Sequence, residues 1–293
     1  MRFISVFTLL LGIGATGLGG LYKFSSLTPR TLKEYLEWQG LNLISHSSDN
    51  YWKAVLEDSQ DVAKKATGKE NPTIEDLKKW CIDNLPKEKY DDFKVYAVSL
   101  CVDNPKTVKA RIIQLDGDIS KLMSSNDDDK YKVAYVFRKH IDGFHNLIGY
   151  KPEIGNHGKE IENLDAAKSA FKKWCSESLD KPMDDILVLN IRTLCTPKKF
   201  STILDLIKQN KEDKLLLTED NNSFELMQKY EIIKELSTWK EDEGGRELPK
   251  TFNNLKNWCE TNKNKPFYEE KVFSGIYPKF RFRCLKGVIG IPS

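Results

Sequence analysis

The chain has 293 residues, with 46 Lys and Arg against 43 Asp and Glu, and a formal net charge of +3. So balanced a charge supplies no broad field for holding a phosphate backbone, and 17 Gly and 11 Pro are too few for a collagenous or disordered chain. Six Cys are too sparse for a small disulfide-dense scaffold, yet their number is even.

Residues 1–26 read as a signal peptide or a membrane anchor. Arg2 is followed by twenty residues without a charge, Phe3 to Tyr22. As a helix they span about 30 Å, the thickness of the hydrocarbon layer. The small residues from Gly12 onward also fit a secretory leader, with Ala15 and Gly17 at the −3 and −1 positions of a cleavage site. Arg2 and the terminal amine oppose Lys23, Arg30 and Lys33, so flanking charge does not fix the orientation. Gly12, Gly14 and Gly17 spell G-x-G-x-x-G, but no βαβ alternation follows, as a dinucleotide site requires.

Beyond the leader, one pattern occurs three times. LKKWC ends at Cys81, FKKWC at Cys175 and LKNWC at Cys259. A Lys-rich turn and an acidic pair follow each: Asp91-Asp92, Asp184-Asp185 and Glu269-Glu270. An apolar stretch then ends in a second Cys, at Cys101, Cys195 and Cys284. Pro29, Pro105 and Pro197 open the three copies. The expected organisation is a helical module over 27–103, a second over 104–196, a third over 197–286, and a tail over 287–293. Copies two and three carry the inserts IGYKPEIGNHGKE and KEDEGGRELPK before their Trp-Cys helices, where longer connections cost little entropy.

The periodicity is helical. Phe93, Tyr96, Ala97, Leu100 and Cys101 form one helix face, and Ile74, Leu77 and Cys81 another, with Thr73 or Asn71 placed to cap it. The acidic pairs fall in first turns, where negative charge complements the helix dipole. Copy two offers helices over 106–123, 130–148, 163–178 and 183–195. In copy three, Gly275 and Pro278 are expected to break the last helix, and Phe280, Phe282 and Cys284 alternate as in a strand. The predicted fold class is all-α: three tandem small helical modules behind an N-terminal hydrophobic helix.

Three roles compete for the cysteines. Bridges Cys81–Cys101, Cys175–Cys195 and Cys259–Cys284 would each close one module, contributing about 3 kcal/mol for a 20-residue loop in the chain-entropy model. Export permits such oxidation. Straight antiparallel helices, however, would leave each pair offset by about 10 Å, too far for a disulfide. Buried thiols packing as apolar side chains, and metal-binding or catalytic thiols, are the other two readings. Trp80, Trp174 and Trp258 read as core anchors.

No motif for chemistry emerges. His46, His140, His145 and His157 form no H-E-x-x-H, and there is no nucleophile elbow, P-loop or kinase signature. Asp127-Asp128-Asp129 lacks the Gly and Glu of a calcium loop and reads as a solvated connection. The run KFRFRCLK, Lys279–Lys286, interleaves cations with aromatics, as nucleic-acid and membrane-surface segments do. In a chain of balanced charge it reads instead as a Cys-pinned final segment. Asn221-Asn222-Ser223 is a glycosylation sequon.

The leader, the Lys/Asn/Glu-rich body and the motifs LKKWC, FKKWC and LKNWC with their partner cysteines resemble the paralogous uncharacterised proteins of haemotropic mycoplasmas. That resemblance implies a membrane-associated or exported protein taking part in surface variation and host contact, and it transfers no catalytic residue. The expectation is therefore a non-enzymatic protein at the cell membrane, its body on the extracellular side, or secreted if the leader is cleaved. Its partners would be the membrane, through residues 3–22, and a host or envelope protein, with no nucleic acid, metal or cofactor. An exported hydrolase-like enzyme with a scattered Glu, Asp and His site is one alternative; a cytoplasmic-facing membrane scaffold is another.

Overall fold

A computed structural model describes residues 28–158, 160–243 and 251–287. The leader at 1–26 lies outside the described residues, among which no helix is long and apolar enough to cross a membrane. The body is predominantly helical and divides into two compact units, at Asn104/Pro105.

The first unit contains α1 (Leu32–Trp38), α2 (Asp49–Asp58), α3 (Gln60–Thr67), α4 (Ile74–Asn84) and α5 (Lys94–Leu100). Thr31 caps α1, its hydroxyl accepting from the Glu34 amide at 3.2 Å. Thr73 and Asp76 form a reciprocal capping box at α4, which satisfies amides that a helix start leaves orphaned. Gly68, at φ 68°, ends α3 in the left-handed conformation that a side chain would strain. Leu32, Leu36, Leu77, Ala97 and Leu100 are fully buried, and Trp52 is nearly so.

The second unit contains α6 (Val108–Asp116), α7 (Asp128–Val136), α8 (Phe144–Leu147), α9 (Leu164–Leu179) and α10 (Asp185–Leu194). It continues with α11 (Ile203–Gln209), α12 (Ser223–Ile233), α13 (Ser237–Glu243), α14 (Phe252–Lys263) and α15 (Tyr277–Cys284). Residues 104–196 and 197–286, expected as separate modules, share one hydrophobic core here. Phe137 joins them, with its ring edge-on to Phe200, Phe267 and Phe273 at 4.8, 4.9 and 4.6 Å between centroids. Each such pair contributes about 0.5–1.5 kcal/mol beyond the area it buries.

Four expectations are corrected. The helix expected over 130–148 breaks after Val136, because α7 ends there and α8 starts only after Gly143. The helix expected over 106–123 ends at Asp116, where Gly117 takes φ 92°; within the polar insert after 148, β1 (Glu153–Ile154) pairs antiparallel with β2 (Glu160–Ile161), Glu153 opposite Ile161. Asp127-Asp128-Asp129 is not a solvated loop but the cap and first turn of α7, where Lys168 and Lys172 bind Asp128, both at 2.9 Å. Phe280, Phe282 and Cys284 do not form a strand. Pro278 lies in the first turn of α15, where its missing amide costs nothing, and a π turn over Val272–Ile276 precedes it.

One set of backbone bonds occurs at three places. The amides of Leu32, Val108 and Ile203 donate to the carbonyls of Lys87, Lys181 and Lys265, at 3.0, 3.0 and 3.1 Å. Each acceptor lies six residues past a first cysteine. The carbonyls of Cys101, Cys195 and Cys284 accept from Ile44, Met123 and Leu217, at 3.0, 2.8 and 2.9 Å. Thr107 and Thr202 cap α6 and α11 as Thr31 caps α1.

Candidate functional site

All six cysteines are paired: Cys81–Cys101, Cys175–Cys195 and Cys259–Cys284, with Cα separations of 5.8, 5.9 and 5.8 Å. These distances exclude straight antiparallel packing of each Trp-Cys helix with its closing helix. The Lys-rich turn after each Trp-Cys helix is pinned by its Lys carbonyl to the opening helix of the same stretch. The third loop is longer, 25 residues against 20, and contains the π turn. All six cysteines are buried.

The three tryptophans differ. Trp174 is buried, whereas Trp80 and Trp258 are half-buried at the edges of their cores. The deepest indoles are Trp52 and Trp239. Trp80 packs on Phe93 and Tyr96. Trp258 and Trp239 flank the Arg283 guanidinium, at 4.7 and 5.2 Å. Arg283 is buried and donates to Asp242 at 2.6 Å and to the Thr238 carbonyl at 2.9 Å. The other cations of the final run are paired too: Lys279 with Asp242, Arg281 with Glu212, Lys286 with Glu225. Four residues past each Trp stands a small buried polar side chain, Asn84, Ser178 or Asn262. Both Asn amides donate to the Trp carbonyl at 2.7 Å; the Ser178 hydroxyl has no partner among the described residues.

Beside the middle bridge lies a cavity of about 580 Å³. Ile119, Leu122, Met123, Leu179 and the Cys175–Cys195 pair give it apolar walls, and Lys130 and Lys172 give it charge. Tyr131 also lines it and donates to the Met123 carbonyl at 3.0 Å. Burial, with the Asp127 charge, pushes its hydroxyl up to about 12. Asp127 is held below the usual carboxylate range by Lys130 and by the Ser124 amide. Asp128 falls to about 2 through its bonds to Lys168 and Lys172. The lysines of this cavity are thus occupied by acids of α7, and what remains available is apolar surface.

Among the described residues, His145 joins a polar network. Its Nε2 lies 3.0 Å from the Tyr135 hydroxyl, which donates to Glu160 at 2.7 Å. Lys139 pairs with Glu160 at 3.0 Å and with Glu162 at 3.5 Å. Burial, then the Glu160 bond, raises the Tyr135 hydroxyl strongly, so the ring stays neutral and can donate to one neighbour while accepting from the other. His140 and His46 are exposed, with His140 beside Phe273. No motif in the sequence marks this network, since Glu160 arrives from β2. Among the described residues no group of three or more His, Cys, Asp or Glu is arranged to hold a metal ion.

Comparison with protein-family models, with curated proteins and with solved structures found no match to this chain.

Proposed function

We propose that this is a non-enzymatic surface protein, built from three copies of one helical module and held at the membrane by residues 3–22, or exported after their removal. The pairing of every cysteine carries the reading. Three buried bridges, each local to one stretch of chain, are the arrangement of a protein matured in an oxidising compartment. The bonds that occur at three equivalent positions support the triplication, and the uncharged leader supports export. The body would stand on the extracellular side, contacting a host or envelope protein, as the resemblance to the haemotropic mycoplasma paralogues implies. Against this background a cytoplasmic scaffold is disfavoured, because cytosolic thiols are kept reduced.

The test is trypsin treatment of intact cells, followed by peptide mapping with and without reductant. Fragments from residues 30–290 should be released, with the three pairs linked until reduction. A fully protected body, or six freely alkylated thiols, would overturn the proposal.

A further inference from the structure

Many cations among the described residues are matched by acids, as in the final run Lys279–Lys286, but the buried Arg138 and the half-buried Lys198 beside it are not. Arg138 follows α7 and is 5 % exposed. Its guanidinium donates to the carbonyls of Thr193 and Thr196, at 3.2 and 2.7 Å, and Nη1 has no partner among the described residues. No carboxylate pairs with it among the described residues. A few residues past those carbonyls, Lys198 is half-buried, with Nζ 5.9 Å from the Phe137 ring centroid and no acid partner among the described residues. Burial, and then the charge of Arg138, lower the Lys198 pKa, and burial alone lowers that of Arg138 to about 10. Lys198 thus sits desolvated beside a second buried cation with no acid paired to either among the described residues, an arrangement that costs free energy unless something compensates it.

Lys198 lines a cavity of about 560 Å³ between α7 and residues 197–201. Its volume falls in the range of small-ligand sites. Lys199, also without an acid partner among the described residues, lines it as well. Val133, Pro197, Phe200 and Tyr268 give it apolar and aromatic walls. Its two acids do not answer Lys198. Asp205 accepts from Ser201 and from the Thr202 amide at 3.0 Å, and Asp129 is exposed on α7. Lys130, also in the lining, is held by Asp127 at 2.8 Å.

We propose that this cavity binds a phosphate monoester carried on an apolar or aromatic body, with Lys198 and Lys199 on the phosphate and Phe200 and Tyr268 against the body. Two cations suit a dianionic head better than a carboxylate, and the aromatic walls distinguish the ligand from free phosphate.

The experiment uses the exported chain with its bridges intact and three probes, phenyl phosphate, inorganic phosphate and benzoate, titrated calorimetrically at fixed ionic strength. Phenyl phosphate should bind saturably and about tenfold tighter than either other probe, the worth of a charge-assisted bond or of the buried ring. Lys198→Met should weaken it about tenfold, Lys198→Arg should largely restore it, and Lys208→Met, on exposed α11 surface, should leave it unchanged. Trace acetylation read by mass spectrometry gives an independent measure: Lys198, with its lowered pKa, should react ahead of Lys208, and phenyl phosphate should protect it. Absence of saturable binding, equal binding by Lys198→Met, or inorganic phosphate binding as tightly as phenyl phosphate would each overturn the proposal.

Discussion

The two units solve the same packing problem at different scales. In residues 28–104 five helices, α1 to α5, surround a single core tied by Cys81–Cys101. In residues 105–287 the same backbone bonds occur twice, yet the two stretches have merged into one core with two bridges. Phe137 and the aromatic rings around it make the merger. The contrast shows that local chain bonding does not decide whether a helical stretch stands alone; a few apolar side chains at its edge do. It also implies unequal dependence on sulfur, because a small core buries proportionally less surface than a large one.

Removing Cys81–Cys101 by double Ser substitution should strike hardest. The 20-residue loop predicts a loss of about 3 kcal/mol, concentrated in residues 28–104. Calorimetry should resolve an early transition there, with the later one unmoved. The equivalent change at Cys175 and Cys195 should lower a single cooperative transition of the second unit. Equal, whole-molecule shifts from both would break the comparison.

Phe137→Ala comes next. The ring is half-buried, so the cost should be about 2–3 kcal/mol, below the range for a fully buried Phe. It should fall on the second unit alone, and hydrogen exchange should show α11 and α14 opening separately from α7. A cap threonine should matter less: Thr31→Ala, Thr107→Ala and Thr202→Ala should each cost about 1 kcal/mol in denaturant unfolding.

Acid should act on both units in the same direction. Asp76 is lowered to about 2 by Lys69 and then by the Thr73 bonds, and Asp128 to about 2 by Lys168 and Lys172. Their unfolded values lie near 3.9. The stability they contribute is therefore fully present above about pH 4 and is lost as pH falls toward 2. Both groups are exposed enough for solvent to screen the effect. Melting temperatures followed from pH 5 to 2 should show a shallower acid slope for Asp76→Asn in the first unit and for Asp128→Asn in the second. Smallest is Ser178→Ala. Its hydroxyl is buried without a partner among the described residues, so the change should be neutral or slightly stabilising, whereas Asn84→Ala and Asn262→Ala should each cost about 1 kcal/mol.

Much of this was legible in the sequence where the physics is local. Helix faces follow from spacing, Thr73 or Asn71 marks a cap ahead of α4, and the ordered cysteines suggest pairs, although straight antiparallel helices would keep them apart. What was not legible depends on distant chain. Phe137 reads as one more apolar residue near the end of a helix until Phe200 and Phe267 close on it. The β1–β2 pair sits in a polar insert with only two residues a side, too short for an alternation to register. Lys279–Lys286 reads as a Cys-pinned final segment, but its acids, Asp242, Glu212 and Glu225, lie dozens of residues upstream and could not be named from the sequence. Trp80 and Trp258 share a motif with Trp174, but depth is set by the neighbours each helix meets. The Lys198 cavity needs a desolvated amine that neither of its lining acids, Asp129 or Asp205, pairs with, and such a lack of pairing is invisible in a linear string.

The placement of the sulfur links bears on what a cut in the backbone does to the chain. Each link encircles one turn and one helix, so a single peptide cut within 82–100, 176–194 or 260–283 leaves both severed ends tied to the same body. The β1–β2 hairpin and residues 240–250 lie outside those rings. A cut inside a ring therefore leaves its two ends covalently joined, whereas a cut at the β1–β2 hairpin does not.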